Sequence, residues 1–134
     1  MFKKYLLAVI VVFIAIEICD FLLHGLILGS VYKETASIWR PDMEKLMWMF
    51  YIIAFLQSVG FVYIYYKLIN PKSPQKGIWY GLTYGFIAGI GMGYGTYAMF
   101  PIPYKLAVSW FIGSIIIYGI VGWLTGLIVK EKAA

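Results

Sequence analysis

The sequence predicts an all-α fold, a membrane-spanning four-helix bundle that occupies residues 1–134 as a single domain. Three observations predict it. Hydrophobic residues make up 63% of the chain and charged residues only 13%, whereas a soluble domain is nearer half apolar and a quarter charged. The apolar residues fall in four long runs rather than in the short period of an amphipathic core helix. Prolines and charges gather where the runs end.

Each run is long enough for the task, since a spanning helix needs about 20 apolar residues at a rise of about 1.5 Å each. The spans are residues 5–28, 46–68, 78–100 and 104–129. The first begins after Lys3 and Lys4, as a signal peptide does, but its apolar stretch is too long for one and carries polar residues. It reads as a retained helix. Loops 29–45 and 69–77 separate the first three spans. In the second loop Asn70-Pro71 and Ser73-Pro74 stop the helix, and Pro101-Ile102-Pro103 forms a tight turn before the last span.

Charge orients the bundle. With the N-terminus inside, Lys3, Lys4, Lys67, Lys72, Lys76, Lys130 and Lys132 are cytoplasmic, against Lys33, Arg40, Lys45 and Lys105 outside. The bias places both termini in the cytoplasm, and the multi-pass arrangement suits a bacterial inner membrane. Trp39, Trp48, Trp79 and Tyr104 read as interfacial aromatics. The net charge of +5 does not signal nucleic acid, because the basic residues lie at span ends and suit lipid headgroups. Cys19 is the sole cysteine and offers no disulfide or CxxC motif.

Glu17, Asp20 and His24 lie inside the first span. At about 100° per residue they share one narrow face, and Asp20 and His24 are i,i+4 neighbours. Ionisable groups at this depth cost roughly 2.5–3.5 kcal/mol each, so the face is expected to meet the bundle interior or a watery cavity. Three readings fit. The trio is interhelical polar glue, a proton or cation pathway, or a metal site. Asp20 and His24 have the spacing of helical metal ligands, but a full set would need loop acids such as Glu34, Asp42 or Glu44. A single histidine excludes a bis-histidine haem, and no cofactor is expected. Gln57 and Ser58, near the middle of the second span, are candidate hydrogen-bond partners for the trio.

Gly77, Gly81, Gly85, Gly89 and Gly93 recur every fourth residue, and the last span carries Gly113, Gly119, Gly122 and Gly126. Small residues at this spacing let helices approach closely, either within the chain or in a homo-oligomer or larger membrane complex. Residues 89–95 alternate glycine with larger side chains, which weakens the helix at the depth of the acidic face. Broken helices beside buried charges build many transporter sites, and Tyr94, Thr96 and Tyr97 would supply hydroxyls there. Arg40, the only arginine, has a planar fork suited to a carboxylate: Asp20 if the loop folds inward, Asp42 or Glu44 otherwise.

His24-Gly25 followed by Tyr32, the Trp39-Arg40-Pro41 loop, and Pro101-Ile102-Pro103 before a glycine-rich last helix resemble a family of small bacterial four-helix membrane proteins of unknown function. Glu17 in helix one with a glycine-rich helix three also looks like the small multidrug resistance transporters, which implies proton-coupled antiport by analogy. Those transporters lack companions equivalent to Asp20 and His24, and their loops are short where residues 29–45 are long.

The leading expectation is binding or transport of a small cationic or polar ligand at Glu17, Asp20 and His24, with Arg40, Tyr94 and Tyr97 contributing. The alternative is a non-catalytic accessory subunit held in a larger complex through its glycine faces. An enzyme stands behind both, since no serine–histidine, dicysteine or phosphate-loop motif is present.

Overall fold

The computed structural model describes residues 1–131, and every regular element among them is helical. Lys132, counted above as cytoplasmic, lies outside the described residues. The chain forms α1 (Phe2–Asp20), a π-helical segment (Phe21–Ile27), α2 (Gly29–Glu34), two short 3₁₀ turns, α3 (Met47–Leu68), α4 (Pro74–Ile90), a second π-helical segment (Gly91–Gly95), α5 (Thr96–Met99) and α6 (Tyr104–Ile128).

Three helical stretches are long and apolar enough to cross a membrane: Phe2–Ile27, Met43–Leu68 and Tyr104–Ile128. The fourth expected span is helical from Pro74 to Met99 but does not join them on composition. Seven glycines and four tyrosines lower its mean hydropathy. It also starts earlier than the expected residue 78. The Ser73 side chain accepts from the Lys76 N–H and Pro74 opens the first turn, a cap worth about 1 kcal/mol.

The loop expected over 29–45 is partly helical. Leu28, Val31 and Thr35 are all buried and stand at i, i+3 and i+7, one helical face. They anchor α2 in a small core with Ile102, Leu106, Ala107 and Trp110. A larger core joins Val12 and Ile16 of α1 to Phe61, Val62 and Tyr65 of α3 and Val121 of α6. Phe61 stacks on Tyr80 and meets Tyr84 and Tyr118, so aromatic rings fill the space where α3, α4 and α6 converge.

α4 lies directly along α6. Gly77, Gly81, Gly85, Gly89 and Gly93 are buried, and a Cβ at any of them would fall within 3.0 Å of α6 atoms. At Gly85 it would sit 2.5 Å from the Ser114 carbonyl oxygen and 2.8 Å from the Ile115 Cα. Gly122 and Gly126 are equally closed by α4 and the residues that cap it. The two glycine faces are therefore turned to each other inside the chain.

Both π segments pack on one short stretch of α6. Gly93 lies against Ala107 and Phe111, and Leu23 fills the hollow at Gly113. The outer surface is apolar: Ile10, Ile14, Ile18, Phe50, Leu56, Phe86, Ile87, Ile112 and Ile116 are all exposed.

Candidate functional site

The first π segment carries His24. Its ladder runs one residue further than an α-helix allows, as Leu28 N–H donating to Leu23 O at 2.8 Å shows. π-turns often mark functional positions. Here the extra width shifts His24 from the place a 100° wheel assigns it. His24 Nε2 stands 4.0 Å from Asp20 Oδ1, beyond hydrogen-bond range.

The other ring nitrogen is held firmly. His24 Nδ1 is 2.6 Å from the Tyr32 hydroxyl, and Trp110 Nε1 donates to that same oxygen at 2.8 Å. The Trp110 indole can only donate, so the Tyr32 proton is free to point at His24 Nδ1, and the imidazole hydrogen then sits on Nε2, facing Asp20. Burial pushes the Tyr32 phenol up to about 12, with the Trp110 hydrogen bond pulling it down and the Asp20 charge adding to the rise. Tyr32 is therefore a neutral donor throughout the physiological range.

An aromatic shell fixes this chain of bonds. Tyr32 meets Trp39 edge-on at 5.8 Å between ring centroids, and Trp39 lies 6.2 Å from Trp110. Trp39 Nε1 donates to Thr35 Oγ1 at 3.0 Å, and that hydroxyl donates to Val31 O at 2.7 Å. Trp39 is thus packed against the bundle rather than standing free at an interface. Trp48, Trp79 and Tyr104 are exposed.

The acidic face is less enclosed than its cost led us to expect. The side chains of His24 and Asp20 are 34% and 45% exposed. Glu17 follows Phe13 by one turn, on the flank where Phe13 packs edge-on against Phe55 of α3. Among the described residues Glu17 makes no hydrogen bond or ion pair.

The other candidates lie apart from the trio. Arg40 pairs with Asp42, Nε to Oδ1 at 2.7 Å and Nη2 to Oδ2 at 3.3 Å, so the inward pairing with Asp20 is not formed. A two-residue separation lets the fork close on its neighbour without folding the loop. Tyr94 bonds the Tyr104 hydroxyl at 3.1 Å and packs on Phe111, and Tyr97 packs on Tyr104. Ser58 donates to the Ala54 carbonyl at 2.8 Å, and Gln57 points outward. Neither reaches the trio. No group of three His, Cys, Asp or Glu side chains converges to hold a metal among the described residues. Asp20 and His24 therefore lack the third ligand that the loop acids were to supply.

Two residues of the site escaped the sequence reading. Tyr32 entered it only through a resemblance, and Trp110 not at all. The usable signal was Trp110 itself, an indole placed within the last apolar run rather than at its edge, where a buried N–H needs an acceptor.

Comparison of the chain with protein-family models, curated proteins and solved structures finds no match in any of the three.

Proposed function

We propose that the chain is an inner-membrane protein of bacterial type that binds or transports a small cationic ligand, coupled to a proton, at Asp20 and His24 with Glu17 beside them. The carrying observation is the fixed imidazole: Trp110 and Tyr32 hold Nδ1 and leave Nε2 facing the Asp20 carboxylate across 4.0 Å. That gap is too long for a direct bond and wide enough for one shared atom about 2.8 Å from each side. When the imidazole carries both hydrogens the gap holds one proton, on Nε2; a small cation takes its place when Nε2 releases that proton and the ring keeps its hydrogen on Nδ1, where the Tyr32 oxygen accepts it. Tyr32 can turn from donor to acceptor when the imidazole gains its second hydrogen, so both charge states keep a partner.

The supporting frame is a four-crossing bundle. Pro74–Met99 would be about 39 Å long at 1.5 Å per residue, ample for a hydrocarbon core of about 30 Å. Five of its seven glycines face α6, and Ile78, Trp79, Phe86, Ile87 and Ile90 face outward. Part of the low hydropathy thus belongs to the side away from lipid. With four crossings and the lysine bias, both termini are cytoplasmic. In a Cys19→Ser background, a cysteine at Ser37 should react with an impermeant maleimide added outside, and one at Ser73 only after permeabilisation. The reverse pattern would overturn the orientation.

The functional test is proton release. Purified wild-type protein should release a proton when small amines or divalent cations are added, and Asp20→Asn should release none. Silence of the wild type with every cation would favour the accessory-subunit reading. Release that persists in both Asp20→Asn and Glu17→Gln would move the chemistry away from this face.

A further inference from the structure

We propose that two copies of this chain associate in the membrane through the outer face of α3, with Gln57 of each copy hydrogen-bonded to its counterpart. The inference needs only that α3 crosses the bilayer. It is independent of the Asp20–His24 pair.

Gln57 lies ten residues from Met47 and eleven from Leu68, the ends of α3. It is therefore about 15–17 Å from either end, at the middle of the span. Its side chain is exposed and has no hydrogen-bond partner among the described residues. An amide at that depth has no water to turn to, and lipid tails offer it neither donor nor acceptor. Tyr51 and Tyr63, also exposed, lie within about 6–8 Å of the helix ends, where hydroxyls can reach the interface, and the remaining polar side chains differ from Gln57. Ser58 bonds its own helix, the Tyr65 hydroxyl bonds Ser73, and Lys67 sits at the end.

The surroundings of Gln57 suit a second helix. Ile53, Ile64 and Gly60 fall about 40°, 20° and 60° to one side of it on the wheel. A Cβ at Gly60 would meet nothing within 4 Å, in contrast to the closed glycines of α4. The space there is vacant within the chain, and glycine lets another backbone come near. The glycine faces of α4 and α6 are already filled by each other, so they leave no such approach.

The partner follows from symmetry and chemistry. Copies inserted in the same orientation are related by a two-fold axis along the bilayer normal. That axis sets each residue of α3 opposite itself at equal depth. A carboxamide is one of the few side chains that satisfies its own copy, since its N–H donors meet its own kind of carbonyl. A second copy of this chain therefore supplies the missing partner.

The test uses full-length protein in phospholipid vesicles, in a Cys19→Ser background, with energy transfer between labelled copies over a series of lipid dilutions. The wild type should show dilution-dependent dimerisation. Gln57→Leu should weaken it about tenfold and Gly60→Ile at least as much, while Gln57→Asn retains it. Both positions are open in the single chain, so thermal unfolding of these variants should match the wild type at dilutions where all are monomeric. Oxidation should cross-link Ile53→Cys to its own copy and should not cross-link Ile112→Cys, on the exposed face of α6. A wild type that is monomeric at every dilution would overturn the proposal. So would equal affinity in Gln57→Leu, or cross-linking at Ile112→Cys in preference to Ile53→Cys.

Discussion

Gly85→Leu is expected to separate α4 from α6, while Ala88→Leu, three residues on, leaves the fold unchanged. The difference is steric. A Cβ at Gly85 would stand 2.5 Å from the Ser114 carbonyl oxygen and 2.8 Å from the Ile115 Cα, both backbone atoms of α6 that cannot turn aside. A leucine there requires the helices to move apart, and every neighbouring glycine contact opens with it. Overpacking alone costs about 1–3 kcal/mol. Loss of a whole crossing should exceed about 4 kcal/mol, the range reserved for such disruptions. Ala88 is exposed, and leucine there should stay within about 0.5 kcal/mol. Gly91→Ala is a sharper control, because a Cβ at Gly91 meets nothing within 4 Å. Unfolding in detergent, followed by circular dichroism, reads all three. Equal losses for Gly85→Leu and Ala88→Leu would show that the close approach of α4 to α6 is not what stabilises the molecule.

Tyr32→Phe should have the second-largest effect, and on two quantities at once. The hydroxyl is the sole link between His24 Nδ1 and Trp110 Nε1. Its removal leaves a part-buried indole N–H without an acceptor and frees the imidazole to turn, at a cost of about 1–3 kcal/mol. Cation-linked proton release should fall as far as in Asp20→Asn, because His24 no longer presents Nε2 to the carboxylate. Trp110→Phe removes only the outer donor. It should lower stability yet retain proton release, since Tyr32 still holds His24. Loss of release in both variants would mean that packing, not the Tyr32–His24 bond, sets the imidazole. The sign of the alkaline response follows from the same hydroxyl. Its folded value is raised from 10.0 to about 12. The neutral phenol therefore contributes stability that is fully present below about pH 10 and is lost as the pH rises through about 12. Tyr32→Phe should flatten that part of the profile.

What the sequence revealed and what it hid divide along a physical line. Long apolar runs need no partner to be recognised, because length and composition alone decide whether a helix can cross a bilayer. Phe2–Ile27, Met43–Leu68 and Tyr104–Ile128 are legible for that reason. Pro74–Met99 is harder, since five of its seven glycines lower its hydropathy yet face another helix. The site is harder still. A helical wheel assumes one pitch, and α1 changes pitch at Phe21, so the wheel overstates how closely His24 follows Asp20. Trp110 reaches Tyr32 across 78 residues, and no local pattern encodes that contact. Arg40 shows the opposite case: its partner is two residues away, and the nearer acid wins over the distant one.

The two π segments meet one short stretch of α6, from Ala107 to Gly113, while α6 itself runs unbroken for 25 residues. In mechanical terms α6 is the mast and the outer ends of α1 and of the Pro74–Met99 helix are spars jointed at one height. A spar whose backbone ladder is already widened can trade hydrogen bonds between neighbouring carbonyls without losing any. Bending is thus cheapest at the level of His24 and Gly93. A bend in the first π segment would therefore carry the imidazole with it.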